Sequence, residues 1–170
     1  NNTETLRIYY DPATIAIDLF QEHAWITQWG NLRASVLPNA IEFLKELSPF
    51  GKTIQSVVMM DRSQVASSSE VQTLWGTPPN VPFSVTENGI PYVIEKNQGK
   101  HPGLFLDHAP LRQWLAGSQS KKRVLNLFSY TGSLSVAAGF AGADHVTTLD
   151  LSKSTIEWAQ ANWDRNTSRR

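Results

Sequence analysis

The sequence contains no cysteine. This absence excludes a disulfide framework and a zinc site built on cysteine, and it is typical of a reducing compartment. The sequence also lacks an apolar run of the ~18 residues that a membrane span requires, and no basic and then apolar leader opens it. We therefore expect a cytoplasmic protein that has neither a membrane partner nor a metal site.

An excess of charge of one sign is also absent, because 15 Lys and Arg balance 15 Asp and Glu. The overall charge therefore gives no argument for a nucleic-acid partner. Local basic residues remain, and clusters of this kind are usually solvated surface. They are Lys121, Lys122, Arg123, Arg165, Arg169 and Arg170. Six Trp and seven Phe indicate a substantial apolar core or an aromatic-lined site.

The first 60 residues have the pattern of a small α+β unit. Strands are predicted over 6–10 and 15–20, on either side of a turn-forming Asp-Pro-Ala sequence, and alternation continues over 24–29. These segments predict a small antiparallel sheet. The apolar, β-branched run 53–60 predicts a further strand.

One helix is predicted between these strands. Pro38 suits its first turn, and Pro49 and Gly51 end it. Its apolar face consists of side chains three residues apart, broadened by one aromatic ring. These side chains are Ile41, Leu44 and Leu47, with Phe43.

The polar segment 61–82, rich in Ser and Pro, predicts a loop or linker, with 72–75 as the stretch able to dock. A β-hairpin follows, because Asn-Gly at 88–89 lies between the apolar runs 83–85 and 91–95. A turn is predicted over 97–102. The next predicted element is a helix over 110–116, which Gly117 ends.

The most informative pattern lies near the C-terminal end. A strand apolar on both faces is predicted over 124–128, as in a buried parallel sheet. A tight turn at 129–132, a small-residue helix over 134–140 and a strand over 146–149 follow, and that strand ends at Asp150. This order builds a nucleoside pocket in open α/β sheets, although an ordinary βαβ unit without a ligand has the same spacing.

The turn has little glycine for a dinucleotide site. Gly132 lets the chain turn sharply and lets a ligand approach the backbone. The sequence has no G-x-G-x-x-G motif, which disfavours NAD or FAD and an oxidoreductase. A cofactor without phosphate, such as S-adenosylmethionine, needs less glycine. Asp150 is placed to accept hydrogen bonds from both ribose hydroxyls.

Several segments, in order and at matching spacing, resemble one known family. They are GLFLDH at 103–108, NLFSYTGS at 126–133, TLDLS at 148–152, then Glu157-Trp158-Ala159 and Asn162. The family is that of class I S-adenosylmethionine-dependent methyltransferases that act on large-subunit ribosomal RNA, the guanine-N7 type above all. The resemblance is strong over 85–166 and weaker over 6–29.

The resemblance implies roles for particular residues. The loop after the first parallel strand would wrap the methionine part of the cofactor, through Asn126, Phe128, Ser129, Tyr130, Thr131 and Gly132. Asp150 would hold the ribose, and Leu151 and Ser152 would border the adenine. Phe105 and Asp107 would close the pocket, with Asp107 facing the methionine ammonium. Core packing for Phe105 and a helix N-cap for Asp107 are the structural alternatives. His108 either lines the pocket or is a surface or capping histidine.

Two departures from the family are visible. Ala109 stands where the family usually has arginine, although Arg112 matches a second arginine one helical turn later. The family's catalytic Asp-Pro-Pro type loop would lie beyond Arg170. The catalytic residues are therefore unknown, and we expect the full protein to continue.

The implied fold class is α/β, the first half of a Rossmann-like class I methyltransferase sheet preceded by a small α+β subdomain and a β-hairpin. Residues 1–82 would form the subdomain, with an expected RNA-binding role. Residues 83–170 would hold the hairpin and the N-terminal part of the S-adenosylmethionine-binding domain. The implied partner is ribosomal RNA of the 23S type.

The implied reaction is methylation at guanine N7, whose available lone pair needs no strong base. Three alternatives stay open: a cytosine-C5 rRNA methyltransferase, which needs a cysteine nucleophile, a methyltransferase of another substrate, and a non-catalytic RNA-binding fragment.

Overall fold

A computed structural model describes residues 2–63, 71–95, 101–118 and 123–167. The described strands and helices, in chain order, are β1 (Thr5–Asp11), β2 (Ile15–Phe20), β3 (His23–Gln28), α1 (Val36–Glu46), β4 (Ser56–Asp61), β5 (Val71–Gly76), β6 (Phe83–Glu87), β7 (Ile90–Ile94), α2 (Ala109–Gly117), β8 (Arg123–Leu127), α3 (Ser133–Phe140), β9 (His145–Leu149) and α4 (Lys153–Thr167). Short 3-10 turns cover Pro49–Gly51 and Leu106–His108.

The N-terminal strands form one five-stranded sheet in the order β1-β2-β3-β4-β5. The first three strands are antiparallel, as their alternation predicts. β4 then pairs parallel with β3, because α1 carries the chain back across the sheet between them. The sheet is therefore mixed rather than purely antiparallel.

The prediction that 61–82 is a loop or linker is wrong at 71–76, which form the edge strand β5 on β4. Gln72 and Thr73 are exposed, whereas Leu74 and Trp75 pack against the core. Polar residues on the open side of an edge strand hide it from a search for apolar runs. Residues 64–70 lie outside the described part of the chain.

The helix α1 begins two residues earlier than predicted, so that Pro38 lies within its first turn. Leu44 is fully buried under it, as the spacing predicts. Phe43 does not broaden the buried face, because its ring is 57% exposed. At 100° per residue, position 43 turns away from the stripe that contains Leu44.

The Asn-Gly hairpin is confirmed as β6 and β7. Asn88 and Gly89 have φ of 51° and 82°, the positive values that a two-residue hairpin turn requires. The helix predicted over 110–116 is α2. Most of the turn predicted over 97–102 lies outside the described residues.

The C-terminal strands β8 and β9 pair in parallel, with α3 connecting them. The prediction that β8 is apolar and buried on both faces is wrong in this structure, because Leu125 and Leu127 are 62% and 50% exposed. Within the described residues α3 packs against both of these strands. Of the six clustered basic residues, Arg123 and Arg165 are exposed, and the other four lie outside the described ranges.

One apolar core runs across both halves of the chain. It joins side chains of the five-stranded sheet to the hairpin, to the segment before α2 and to α3 through Phe20, Trp25, Val58, Val85, Ile90, Tyr92, Leu104 and Val136. A second cluster lies under α1. The division into 1–82 and 83–170 stays a prediction. Among the described helices, none has the length and apolarity that crossing a membrane demands.

Candidate cofactor site

The loop after β8 folds back against the end of β9. Phe128, Tyr130 and Gly132 all have positive φ, at 53°, 49° and 70°. The Ser129 N–H donates to the carbonyl of Leu149 at 3.0 Å, and the Gly132 N–H donates to the carbonyl of Ser129 at 2.9 Å. The carboxyl ends of the two parallel strands therefore meet at one edge, where open α/β sheets bind ligands.

Asp150 connects this loop to the start of α4. Its Oδ2 accepts the Tyr130 N–H at 2.9 Å, and its Oδ1 accepts the Ser152 N–H at 3.0 Å and the Thr155 hydroxyl at 3.2 Å. The bond from Ser152 and then those from Tyr130 and Thr155 lower the pKa of Asp150. The side chain is therefore an ionised acceptor at neutral pH.

Two glycines allow close packing around the site. A Cβ at Gly103, whose φ is 109°, would lie 2.1 Å from the Trp158 ring. A Cβ at Gly132 would lie 2.8 Å from the Ala159 Cβ. Since both contacts are with α4, glycine at these positions lets α4 approach the loop and the segment before α2.

An aromatic cluster borders the loop. The Phe105 ring lies 5.2 Å from the Tyr130 ring, and the Tyr130 ring lies 6.0 Å from that of Trp158. His101 stacks on Phe105 at 4.0 Å, and its carbonyl accepts the Tyr130 hydroxyl at 3.3 Å. Burial lowers the pKa of His101 to about 3, so its ring is neutral. Sequence reasoning missed His101, because a single histidine carries no motif.

Asp107 lies on the other side of Phe105. Its side chain is about half exposed, with one oxygen 3.9 Å from Nη1 of Arg7 and the other 4.0 Å from Nε2 of His108. The N-cap interpretation of Asp107 is wrong, since His108 precedes α2 and makes no side-chain cap bond. Asp107 lies within the short 3-10 turn over 106–108, one residue before the N-cap position.

The remaining predicted site residues divide into exposed and internally bonded side chains. Phe128 and Leu151 are 85% and 99% exposed. The buried Asn126 amide donates to the Ser135 hydroxyl at 2.9 Å, so it faces α3. Ser152 accepts the Thr155 N–H at 3.4 Å, at the start of α4.

The structure thus places Phe105, the loop 128–132 and the acidic end of β9 next to one another. Asn126 is directed at α3, and Asp107 at Arg7. Two further residues support the arrangement. Asn162 accepts the Val93 N–H at 2.7 Å and donates to the Thr131 carbonyl at 2.9 Å. Arg112 donates to the Phe105 carbonyl at 2.8 Å.

The chemistry of these groups fits S-adenosylmethionine. An ionised carboxylate is available for vicinal hydroxyls, aromatic side chains border the loop, and no cluster of phosphate-binding glycines is needed. The loop also contains a buried hydroxyl, that of Ser129, which has no hydrogen-bond partner within the described residues. Such an atom is costly to leave unpaired unless a ligand or water satisfies it.

Comparison with known proteins gives a consistent result. The sequence profile of the S-adenosylmethionine-dependent methyltransferases matches residues 15–169. Ribosomal RNA large subunit methyltransferase K/L of Shewanella loihica is 32% identical over 160 residues, which cover 89% of this chain and 22% of that protein. The chain therefore spans about a quarter of the length of the curated relatives that it matches.

Solved structures agree with this result. A protein of Streptococcus mutans assigned to the SAM-dependent methyltransferases superposes with a TM-score of 0.83 at 26% identity, over 98% of this chain and 43% of that chain. The structure of SMU.776 in complex with SAH, S-adenosylhomocysteine, has a TM-score of 0.82 at 26% identity and the same coverage.

Proposed function

We propose that this chain, which belongs to the S-adenosylmethionine-dependent methyltransferase family and has S-adenosylmethionine as its cofactor, holds the methyl donor for methylation of large-subunit ribosomal RNA. The proposed acceptor is guanine N7 of RNA of the 23S type, in the cytoplasm. The relatives that carry this name support the RNA substrate. The observation that supports the donor site is the 2.9 Å bond from the Tyr130 N–H to Asp150.

In the proposed arrangement Asp150, held in place by its bonds from Tyr130, Ser152 and Thr155, accepts hydrogen bonds from the ribose hydroxyls. The loop surrounds the methionine part, with Leu151 and Ser152 at the adenine. Phe105 closes the pocket through its contact with Tyr130, and Asp107 receives the ammonium. The full proposed set is Phe105, Asp107, Asn126, Phe128, Ser129, Tyr130, Thr131, Gly132, Asp150, Leu151 and Ser152.

The bound cofactor supplies a methyl group that its sulfonium has already activated. The residues of this chain therefore need to bind, orient and exclude water rather than provide a strong base. Guanine N7 would form its bond to the methyl group with its own lone pair while the bond between the methyl group and the sulfur breaks, and no proton would have to leave that nitrogen. The aromatic rings around Phe105 would keep water from the reacting groups on this side of the loop.

Isothermal titration with S-adenosylhomocysteine tests the donor site. Wild-type protein is expected to bind, and Asp150→Ala to lose at least about tenfold in affinity, which corresponds to about 1.4 kcal/mol. Asp144→Ala, which removes an exposed carboxylate just before β9, is the matched control and should bind as wild type. A folded wild-type protein without saturable binding would contradict the proposal, and saturable binding of NADH in its place would favour an oxidoreductase.

The acceptor requires the full-length protein and unmodified large-subunit rRNA. Transfer of a labelled methyl group, followed by chain scission at 7-methylguanine, would locate the product. If the labelled RNA is not cleaved at guanine and the label is found on cytosine, the acceptor is cytosine C5 and not guanine N7.

A further inference from the structure

A buried ion pair lies behind the proposed cofactor site. Arg112 on α2 and Glu87 at the end of β6 are 1% and 3% exposed. The Arg112 Nε donates to one carboxylate oxygen at 2.6 Å, and Nη2 donates to the other at 2.8 Å. This bidentate geometry fixes the plane of the guanidinium, which a lysine ammonium in the same place would not do.

The third nitrogen of this guanidinium points toward the site. Nη1 donates to the Phe105 carbonyl at 2.8 Å. The Phe105 ring contacts Tyr130, whose N–H is bound by Asp150. The ion pair is therefore connected, through the Phe105 carbonyl, to the segment that carries Phe105 and Asp107 and borders the loop at Tyr130.

Stability alone does not explain an arginine here. Replacing a buried ion pair by apolar side chains of similar volume is often neutral or stabilising, and the neighbouring Tyr92 ring, whose centroid lies 5.8 Å from the guanidinium carbon, is itself buried. The pair instead fixes the orientation of the guanidinium, because two of its three nitrogens donate to Glu87 and the third, Nη1, is thereby directed at the Phe105 carbonyl. That carbonyl belongs to the segment that carries Phe105 and Asp107.

We infer that Arg112, held by Glu87, is a positioning residue for the segment 103–108 and thereby for the part of the cofactor site that closes on the methionine end. This inference rests on the proposed donor site. Arg112 itself does not touch the cofactor. Its effect on binding passes through Phe105 and Asp107, and it is therefore largest for ligands that carry the amino-acid part.

The test compares two ligands. S-adenosylhomocysteine carries the ammonium that Asp107 would bind, whereas 5′-methylthioadenosine keeps the ribose and adenine and lacks the amino-acid part. Arg112→Lys is expected to lose about tenfold in affinity for S-adenosylhomocysteine and clearly less for methylthioadenosine. Asp150→Ala, which acts at the ribose, should weaken both ligands alike.

The double variant separates positioning from general damage. If Arg112 acts through the segment, Arg112→Lys should cost little further affinity for S-adenosylhomocysteine once Asp107→Asn has been made. Leu44→Ala is the stability control, because it opens the separate core cluster under α1. At a temperature at which circular dichroism shows both proteins folded, Leu44→Ala should bind both ligands as wild type does.

Several outcomes would overturn the inference. If folded Arg112→Lys protein binds both ligands as wild type does, or loses the same factor in affinity for both, the ion pair has a structural role only. Glu87→Gln, which keeps the shape and one acceptor, provides a second variant with the same expected pattern. If neither variant folds, the pair is a folding requirement and the positioning role is withdrawn. If the wild-type protein itself does not bind S-adenosylhomocysteine, the proposed donor site is contradicted instead.

Discussion

His101 is the residue whose environment most changes its chemistry. It is 8% exposed, stacks on Phe105 and accepts the Gly103 N–H at 3.2 Å. Burial, with smaller contributions from Arg62 and Arg7, lowers the pKa of His101 to about 3 from its ordinary value of 6.5. The unfolded chain therefore binds a proton on this histidine near pH 6.5, whereas the folded chain does not. Stability contributed by this group is present above pH 6.5 and is lost progressively as pH falls toward 3.

We predict that this histidine lowers the free energy of unfolding by about 2 kcal/mol when the pH falls from 7 to 5. His101→Phe keeps a ring against Phe105 and cannot titrate, so its free energy of unfolding should fall less over the same interval. Denaturant unfolding of both proteins at the two pH values measures the difference. Burial also lowers the pKa of His23, but His23 is present in both proteins and its contribution cancels. Equal pH dependence in the two proteins would contradict the assignment.

Among the helices, α4 connects the hairpin to the cofactor loop. Asn162, which is 1% exposed, bonds to the Val93 N–H and to the Thr131 carbonyl, and the Trp158 indole N–H donates to the Val93 carbonyl at 3.1 Å. The backbone of β7 and that of the loop are thus satisfied by side chains of one helix rather than by strands.

Asn162→Leu is predicted to destabilise the protein by about 3 kcal/mol, because it has similar volume but leaves the Val93 N–H and the Thr131 carbonyl unpaired. It should also weaken binding of S-adenosylhomocysteine, since Thr131 belongs to the loop. The control on the same helix is Gln160→Ala, whose side chain is exposed and bonds to Asp164 one turn later. That change should stay within about 0.5 kcal/mol. Similar losses for both variants would refute the bridging role.

Local signals explain which elements the sequence predicts correctly. The hairpin follows from Asn88-Gly89, and the turn after β8 follows from Gly132, because each needs positive φ at a fixed place. The strand β5 could not be predicted from residues 71–76 alone. Gln72 and Thr73 interrupt the apolar pattern, and the segment is a strand because it pairs with β4. The role of Arg112 depends on Glu87, 25 residues earlier, and no spacing rule connects them.

The whole molecule is held together across the predicted boundary at residue 82. Phe20 and Trp25 of the five-stranded sheet share a core with the hairpin and α3. The backbone of the hairpin continues this contact, because the Glu4 N–H donates to the Thr86 carbonyl at 2.7 Å and the Glu4 carboxylate accepts the Thr86 N–H at 2.9 Å. A fold joined by a shared core and by main-chain hydrogen bonds should unfold as one unit.

Phe20→Ala tests this cooperativity, since Phe20 is fully buried and lies in the core that both halves share. Its removal should cost about 4 kcal/mol and lower the stability of both halves together, leaving a single transition in denaturant. Phe43→Ala, at a ring that is 57% exposed, should cost far less. Peptide-resolved hydrogen exchange is the measurement. If residues 15–28 stay protected after residues 83–94 have lost protection, the chain has two independent domains. If both segments lose protection at the same denaturant concentration, the scaffold of the proposed cofactor site includes the N-terminal sheet.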